Sequence, residues 1–491
     1  MNVFIGVDIG TTGVRAGVYG EDFSLLGTGE GKSIIKRGPK GEIYQDTDEM
    51  YAETAKAVKD ALERAGVRGA VVSALSFDGQ MAGIIGIDNN WNALTPYDSW
   101  LDTRCSGQVS EIKKKAYDLV IERTGNIPSY NHGPKILWWK QVEPELFERI
   151  ARFIQPGAYV AGRLCGLDAS EAFIDWTYLH FSGFASNQGL RWDEELLGMF
   201  DLEPEKLPQI VSPLHVAGKA QKDEASLFGV LEGTPVAAGC GDTASCFLGT
   251  GAVKKGIAVD VAGTASVFAL TTDSFTTDRS GLVYCSRSVI KDLWYSMSYI
   301  NGGGLNLEWF KDTFAQDTTF EEMNSAIEGI PPGSDGLIFN PHLEGRGYPY
   351  EPYMRGHWKG FTRNHTRAHF YRSILEGIAY EYSLYKEKIL DMLGGELSYS
   401  VRGVGGGAKS GIWNRIKADV LGCSYCTINR EDIGILGQAM IAAAAVGHVD
   451  DLSAAAGNII REVDEVRPNA GNVRDYAAYI EKYKKLLAEA G

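Results

Sequence analysis

The segment VFIGVDIGTTGVRAGVYG, residues 3–20, constrains the fold more than any other stretch of the chain. Two apolar, strand-like runs flank Gly-Thr-Thr-Gly, and Asp8 stands near the end of the first run, where an all-apolar strand needs no carboxylate. A tight turn of Gly10, Thr11, Thr12 and Gly13 can aim N–H and hydroxyl groups at a phosphate, because glycine accepts strained dihedrals and lets the backbone come close. Asp8 beside such a turn would hold a Mg²⁺ ion directly or through water. The same residues also suit a plain hairpin with a solvent-facing Asp. A second copy of the pattern separates the two readings: VDVAGTASV, residues 259–267, carries apolar residues, an Asp, a Gly-Thr pair and a return to apolar residues, about 250 positions later. Two such turns, Gly10–Gly13 and Gly263–Ser266, can face each other across a cleft and grip one polyphosphate from both sides.

At 491 residues the chain is longer than one hydrophobic core usually supports, and two domains are expected, 1–246 and 247–491. Strands at 3–9, 14–19 and Val71–Phe77, with a helical pattern from Met50 to Ala65, make the first an α/β domain. Aromatic-rich sequence at 97–200 suits a cap that holds surfaces for a ligand. The second half repeats the alternation: DGLIFNPHL as a strand, Arg367–Leu393 as a long helix, YSVRGVGGGAKS as strand and turn, and Gly411–Leu421 as a helix. ILGQAMIAAAAVG then reads as a small-residue helix, and YAAYIEKYKKLLAEAG as an amphipathic one.

The net charge of -15 argues against a nucleic-acid surface, which needs clustered Lys and Arg. It leaves room for an anionic nucleotide held locally by backbone amides and a metal ion. No segment has the length and apolarity of a membrane span and no signal-peptide pattern opens the chain, so a cytoplasmic protein is expected. Seven cysteines, odd in number and widely spread, suit reduced thiols; Cys423 and Cys426 lack both further zinc ligands and a thioredoxin-like context and read as core residues.

A third element is VRGVGGGAKSGIWNRIKADVLG. Gly405, Gly406 and Gly407 leave room for a flat ring against the backbone, and a helix begins near Ser410. It is neither a Walker A loop nor a Rossmann fingerprint, and a glycine run also fits an ordinary loop. Taken together, the two phosphate turns, Asp8 and the late Gly-Gly-Gly-Ala resemble the actin-like, ribonuclease H-like ATPase architecture, and within it the FGGY carbohydrate kinases. The resemblance runs in order through GVDIGTTGVRA, SFDGQMAG, SWLDTR, AGCGDTA, AGTAS, ILEGIAYE and GVGGGAKSGIWNRIKADVLG.

That resemblance implies two ribonuclease H-like domains flanking a deep cleft, the first on the sugar side and the second on the nucleotide side. It implies ATP and Mg²⁺ as cofactors, a small-molecule sugar as substrate, no nucleic-acid or membrane partner, and a homodimer, which is common in the family. Asp242 in GCGDTA matches the base that accepts the proton of the attacking sugar hydroxyl. Gly10, Thr11, Thr12, Gly263, Thr264 and Ser266 match the phosphate turns; Gly406, Gly407, Ala408 and Asn414 match the adenosine side. Arg15 falls where relatives carry Lys or Arg, and it also suits simple neutralisation of Asp8. Gln80, Met81, Trp100 and Asp102 are the sugar candidates, Trp100 fitting a core position as well.

Within the family the likeness is to xylulokinases, whose pattern is Gln-Met-His-Gly. Here Ala82 replaces that His, Asp78 adds a carboxylate where a small neutral residue is usual, and LEGRGYP departs from Gly-Glu-Arg. D-xylulose is therefore the default sugar, with L-xylulose, ribulose, gluconate and glycerol as alternatives. An actin-like or chaperone-like ATPase switch is the alternative from another class, sharing the phosphate turns but having no evident use for Asp242.

Overall fold

The computed structural model describes residues 2–395 and 397–490; Gly491, the last residue of the stretch read from the sequence as an amphipathic helix, lies outside them. The chain packs into two compact units. Unit 1 comprises Met1–Val253, Cys285–Trp294 and Asp432–Ile459; unit 2 comprises Lys254–Tyr284, Tyr295–Glu431 and Ile460–Gly491.

The sheet of unit 1 is built from β1 (Val3–Ile9), β2 (Gly13–Tyr19), β3 (Leu25–Lys32), β4 (Val72–Phe77), β5 (Val216–Lys219) and β6 (Pro235–Ala237), in the order β3-β2-β1-β4-β6-β5. The opening hairpin pairs Ile9 with Val14 and Asp8 with Arg15 across Gly-Thr-Thr-Gly. β1, β4 and β6 run parallel, because the chain returns to the sheet through helical crossovers between them. Their central residues are buried on both faces, which is why they read as near-continuous apolar runs. Helix α1 (Thr47–Ala65) starts on Asp46, whose carboxylate accepts the Asp48 and Glu49 N–H groups, and stops at Gly66 in the left-handed region. It lays Met50, Ala57, Val58, Ala61 and Leu62 on the sheet, in one core cluster with Val7, Val14 and Leu75.

The second sheet has seven strands; after an edge strand at Tyr284–Arg287, the other six follow the order β9-β8-β7-β10-β11-β12: β7 (Ile257–Ala262), β8 (Ser266–Thr272), β9 (Trp294–Ile300), β10 (Ser400–Val404), β11 (Tyr425–Ile428) and β12 (Glu462–Val466). The β7–β8 hairpin carries the second Gly-Thr turn, with Ala262 opposite Ser266, and β10 lies parallel to β7 and β11 to β10. Strand order and these directions match those of unit 1, so the short self-similarity in the sequence marks a duplicated sheet. The long helix over Arg367–Met392 and the helix over Gly411–Leu421 form where the sequence places them, the latter capped by Ser410, whose hydroxyl accepts the Trp413 N–H.

Candidate active site

Asp8, Asp78 and Asp242 follow from the sheet of unit 1. Asp8 sits near the carboxyl end of β1, Asp78 directly follows β4, and Asp242 opens α2 (Asp242–Gly249), five residues after the end of β6. Three adjacent parallel strands thus present carboxylates at one edge, the edge where open α/β sheets receive ligands. A parallel bridge between Gly79 and Gly241 ties the two loops together.

Electrostatically this edge is strained. Asp78 is fully buried; its Oδ1 accepts the Ile9 N–H at 3.2 Å, while Oδ2 has no donor beside it. Burial first, then the charges of Asp8 and Asp242, push Asp78 well above the ordinary carboxylate range. Asp8 is also raised by burial, against its hydrogen bond with Asp78 and the nearby charge of Arg15. Burial and then the charge of Asp8 raise Asp242 to about 7, although the Thr243 N–H and hydroxyl donate to its Oδ1 at 2.6 and 3.1 Å. A base poised near neutrality can take a proton and also release it.

The sugar candidates gather beside the first turn. The Trp100 indole N–H donates to the Thr11 hydroxyl at 3.0 Å, Thr11 donates to Gln80 Oε1 at 3.0 Å, and Gln80 donates to Gln45 Oε1 at 2.7 Å. Trp100 is 45% exposed, so its ring is an open face and not part of the core. Asp102 is buried and its carboxylate is filled by the Arg104 side chain at 2.8 Å and by the Arg104 and Ile43 N–H groups at 2.9 Å. It secures the Trp100 turn. Lys135, buried, secures the same turn by donating to the Ser99 and Asp102 carbonyls. Thr12 and Arg15 are exposed.

Unit 2 holds a cavity of about 860 Å³. Gly263 and Thr264 form one wall, Gly406 and Gly407 another, and Trp413 and Arg415 of the Gly411–Leu421 helix a third. The opposite side is a segment that sequence reasoning missed: α3 (Gly303–Phe314), which opens in Asn-Gly-Gly-Gly. Its Gly304 N–H donates to the Gly263 carbonyl at 2.8 Å, and the Leu305 N–H to that of Thr264 at 3.1 Å. A Cβ on Gly304 would stand 2.6 Å from the Gly263 oxygen. Gly405, with φ +85°, lets the third glycine run close on Ala262 from the other side. The only signal for Gly302–Gly304 in the sequence is the glycine run itself. Ser266, Ala408 and Asn414, expected to contact nucleotide, are buried and are not on the cavity wall; Asn414 braces the turn by donating to the Ala408 carbonyl at 2.7 Å.

Among the described residues no three His, Cys, Asp or Glu side chains gather into a ready metal site. All seven cysteines are free thiols, Cys423 and Cys426 both buried. No described helix is long and apolar enough to cross a membrane.

Comparison with known proteins gives the family of the chain. The model of the FGGY family of carbohydrate kinases, N-terminal domain, matches residues 3–249, and that of the C-terminal domain matches residues 241–446. A xylulose kinase of Bacillus subtilis (strain 168) is 28% identical over 491 residues, covering 99% of this chain and 97% of the relative. A gluconokinase of the same strain is 26% identical over 467 residues, covering 92% and 89%. The crystal structure of ligand-bound xylulose kinase from Lactobacillus acidophilus superposes with a TM-score of 0.92 at 22% identity, covering 99% and 98% of the two chains, and so shares the fold. An ATPase switch is not favoured by these likenesses. With both family domains matched across most of its length, this chain belongs to the FGGY family of carbohydrate kinases and is an ATP-dependent sugar kinase.

Proposed function

We propose that the enzyme phosphorylates a terminal hydroxyl of a ketopentose, with D-xylulose the first candidate. The observation that carries this reading is Asp242: a carboxylate held near neutrality, at the carboxyl edge of the unit 1 sheet, tied by Gly79–Gly241 to the segment that bears Gln80 and Met81. The names of the relatives favour xylulose over gluconate by similarity, 28% against 26% identity.

In this reading Trp100 covers the C–H face of the sugar and Gln80, joined to Thr11, orients a hydroxyl. Asp242 takes the proton of the attacking hydroxyl. ATP lies in the unit 2 cavity, its phosphates toward the Gly263–Thr264 turn and its base against the flat Gly406–Gly407 backbone. Mg²⁺ fits the oxygen groups of unit 1: Asp8 and Asp78 would hold it, Asp78 Oδ2 being a buried oxygen with no hydrogen-bond donor beside it. Two carboxylates completed by water and phosphate oxygens are the usual Mg²⁺ arrangement. When bound, the ion neutralises charge on the transferring phosphoryl group.

The test is a coupled ADP-release assay with ATP and Mg²⁺ over D-xylulose, L-xylulose, ribulose, gluconate and glycerol. Strong turnover on D-xylulose is expected; turnover confined to gluconate or glycerol would overturn the ketopentose reading.

A further inference from the structure

The Gly79–Met81 segment is held by its carbonyls, from a part of the chain that no motif marked. At its start, the Gly79 carbonyl accepts both the Tyr178 hydroxyl at 2.8 Å and the Asp242 N–H at 3.1 Å. Two residues on, the Met81 carbonyl meets Nε2 of His132 at 2.6 Å. A carbonyl can only accept, so Nε2 carries the proton. His132 is 2% exposed, and burial pushes it down to about 4, which keeps it neutral. Its Nδ1 has no hydrogen-bonding partner, so the Met81 bond alone fixes the ring's polar edge. The ring also packs near Tyr178, with centroids 6.0 Å apart.

On the other side of the segment the Met81 side chain lies against Gly241. A Cβ there would stand 1.9 Å from Met81 Sδ. Met81 is therefore wedged between the residue preceding the candidate base and a buried imidazole. The adjacent position is Ala82, which carries no imidazole of its own; the imidazole that reaches this segment comes from residue 132 instead.

We propose that His132 is a positioning residue for sugar recognition: by donating to the Met81 carbonyl it fixes the Gln80–Ala82 segment relative to Asp242. The proposal rests on the reading that this segment faces the sugar. Misplacing a substrate-orienting group by a fraction of an ångström weakens turnover of the sugar without touching the nucleotide cavity, whose walls all lie in unit 2.

The test compares His132→Leu, which removes the donor, with His132→Gln, whose amide N–H extends about as far as imidazole Nε2. Steady-state kinetics are run with the sugar that the wild-type enzyme turns over best. The Leu variant is expected to lose about tenfold or more in kcat/KM for the sugar, with KM for ATP within about twofold of wild type. The Gln variant is expected to recover most of the loss. Wild-type sugar kinetics in the Leu variant, or an equal loss on both substrates that Gln does not rescue, would overturn the role. Should the Leu variant not fold, His132→Asn, with an amide too short to reach Met81, replaces it, and equal sugar kcat/KM in the Asn and Gln variants would overturn it. A wild-type enzyme inactive on every ketopentose but active on another sugar would count against the ketopentose reading alone.

Discussion

Asp8 and Asp260 stand at corresponding places in β1 and β7, two residues before Gly10 and three before Gly263, and they live in opposite surroundings. Asp260 is fully buried and fully answered: Lys417 donates to it, and the Tyr382 and Tyr425 hydroxyls each donate at 2.7 Å. Lys417 in turn stacks on the Trp413 ring at 3.7 Å, so the ion pair supports the helix that walls the unit 2 cavity. Asp8 has instead two further carboxylates, Asp78 and Asp242, as electrostatic neighbours, and its nearby cation, Arg15, is exposed to solvent. One copy of the duplicated fold has its acid satisfied and serves as scaffold; the other keeps charge uncompensated, in the way that reactive sites do at the expense of stability.

The difference can be broken by substitution, starting where the effect is largest. Asp242→Ala should lower turnover by about a thousandfold or more, while ATP affinity, measured by calorimetry, stays near wild type. In unit 2, Lys417→Met leaves a buried carboxylate with no cation, and urea unfolding should show a loss of about 3–5 kcal/mol. Gly405→Ala places a Cβ 2.8 Å from the Ala262 oxygen at a backbone φ of +85°, and should raise KM for ATP by about tenfold while leaving that for the sugar unchanged. The smallest effect is on pH dependence. A base raised to about 7 must be ionised to act, so kcat/KM for the sugar should fall as pH drops below about 7 and level off above it. An acid limb in the ordinary carboxylate range, near 4, would show that burial and the charge of Asp8 do not act on Asp242 in this way.

Local patterns were legible where local physics decides them. The Gly-Thr hairpins, the Ser410-capped helix and the apolar parallel strands are all dictated within a few residues. Helix α4 (Ile433–Ala445) was legible as a helix but not as a part of unit 1, whose β1 it covers. Its small residues announce a close approach without naming the partner: a Cβ on Gly6 would stand 1.9 Å from the Ile435 oxygen. His132, Tyr178 and Lys135 escaped notice for a related reason. Each acts through a backbone carbonyl, of Met81, Gly79 or Asp102, and a carbonyl leaves no residue signature. Asp102 is a sugar candidate through the likeness of SWLDTR to the family's substrate-pocket segments; Arg104, two residues on, meets its carboxylate.

The most direct measurement sets Asp8→Asn beside Asp260→Asn and reads both turnover and unfolding free energy. Asp8→Asn is predicted to lose most of its turnover while keeping or gaining stability, because it removes charge from a crowded acidic edge; Asp260→Asn is predicted to lose stability, because Lys417 is left buried without its counter-charge. A stable, inactive Asp260→Asn together with an active, destabilised Asp8→Asn would contradict the division of labour between the two sheets.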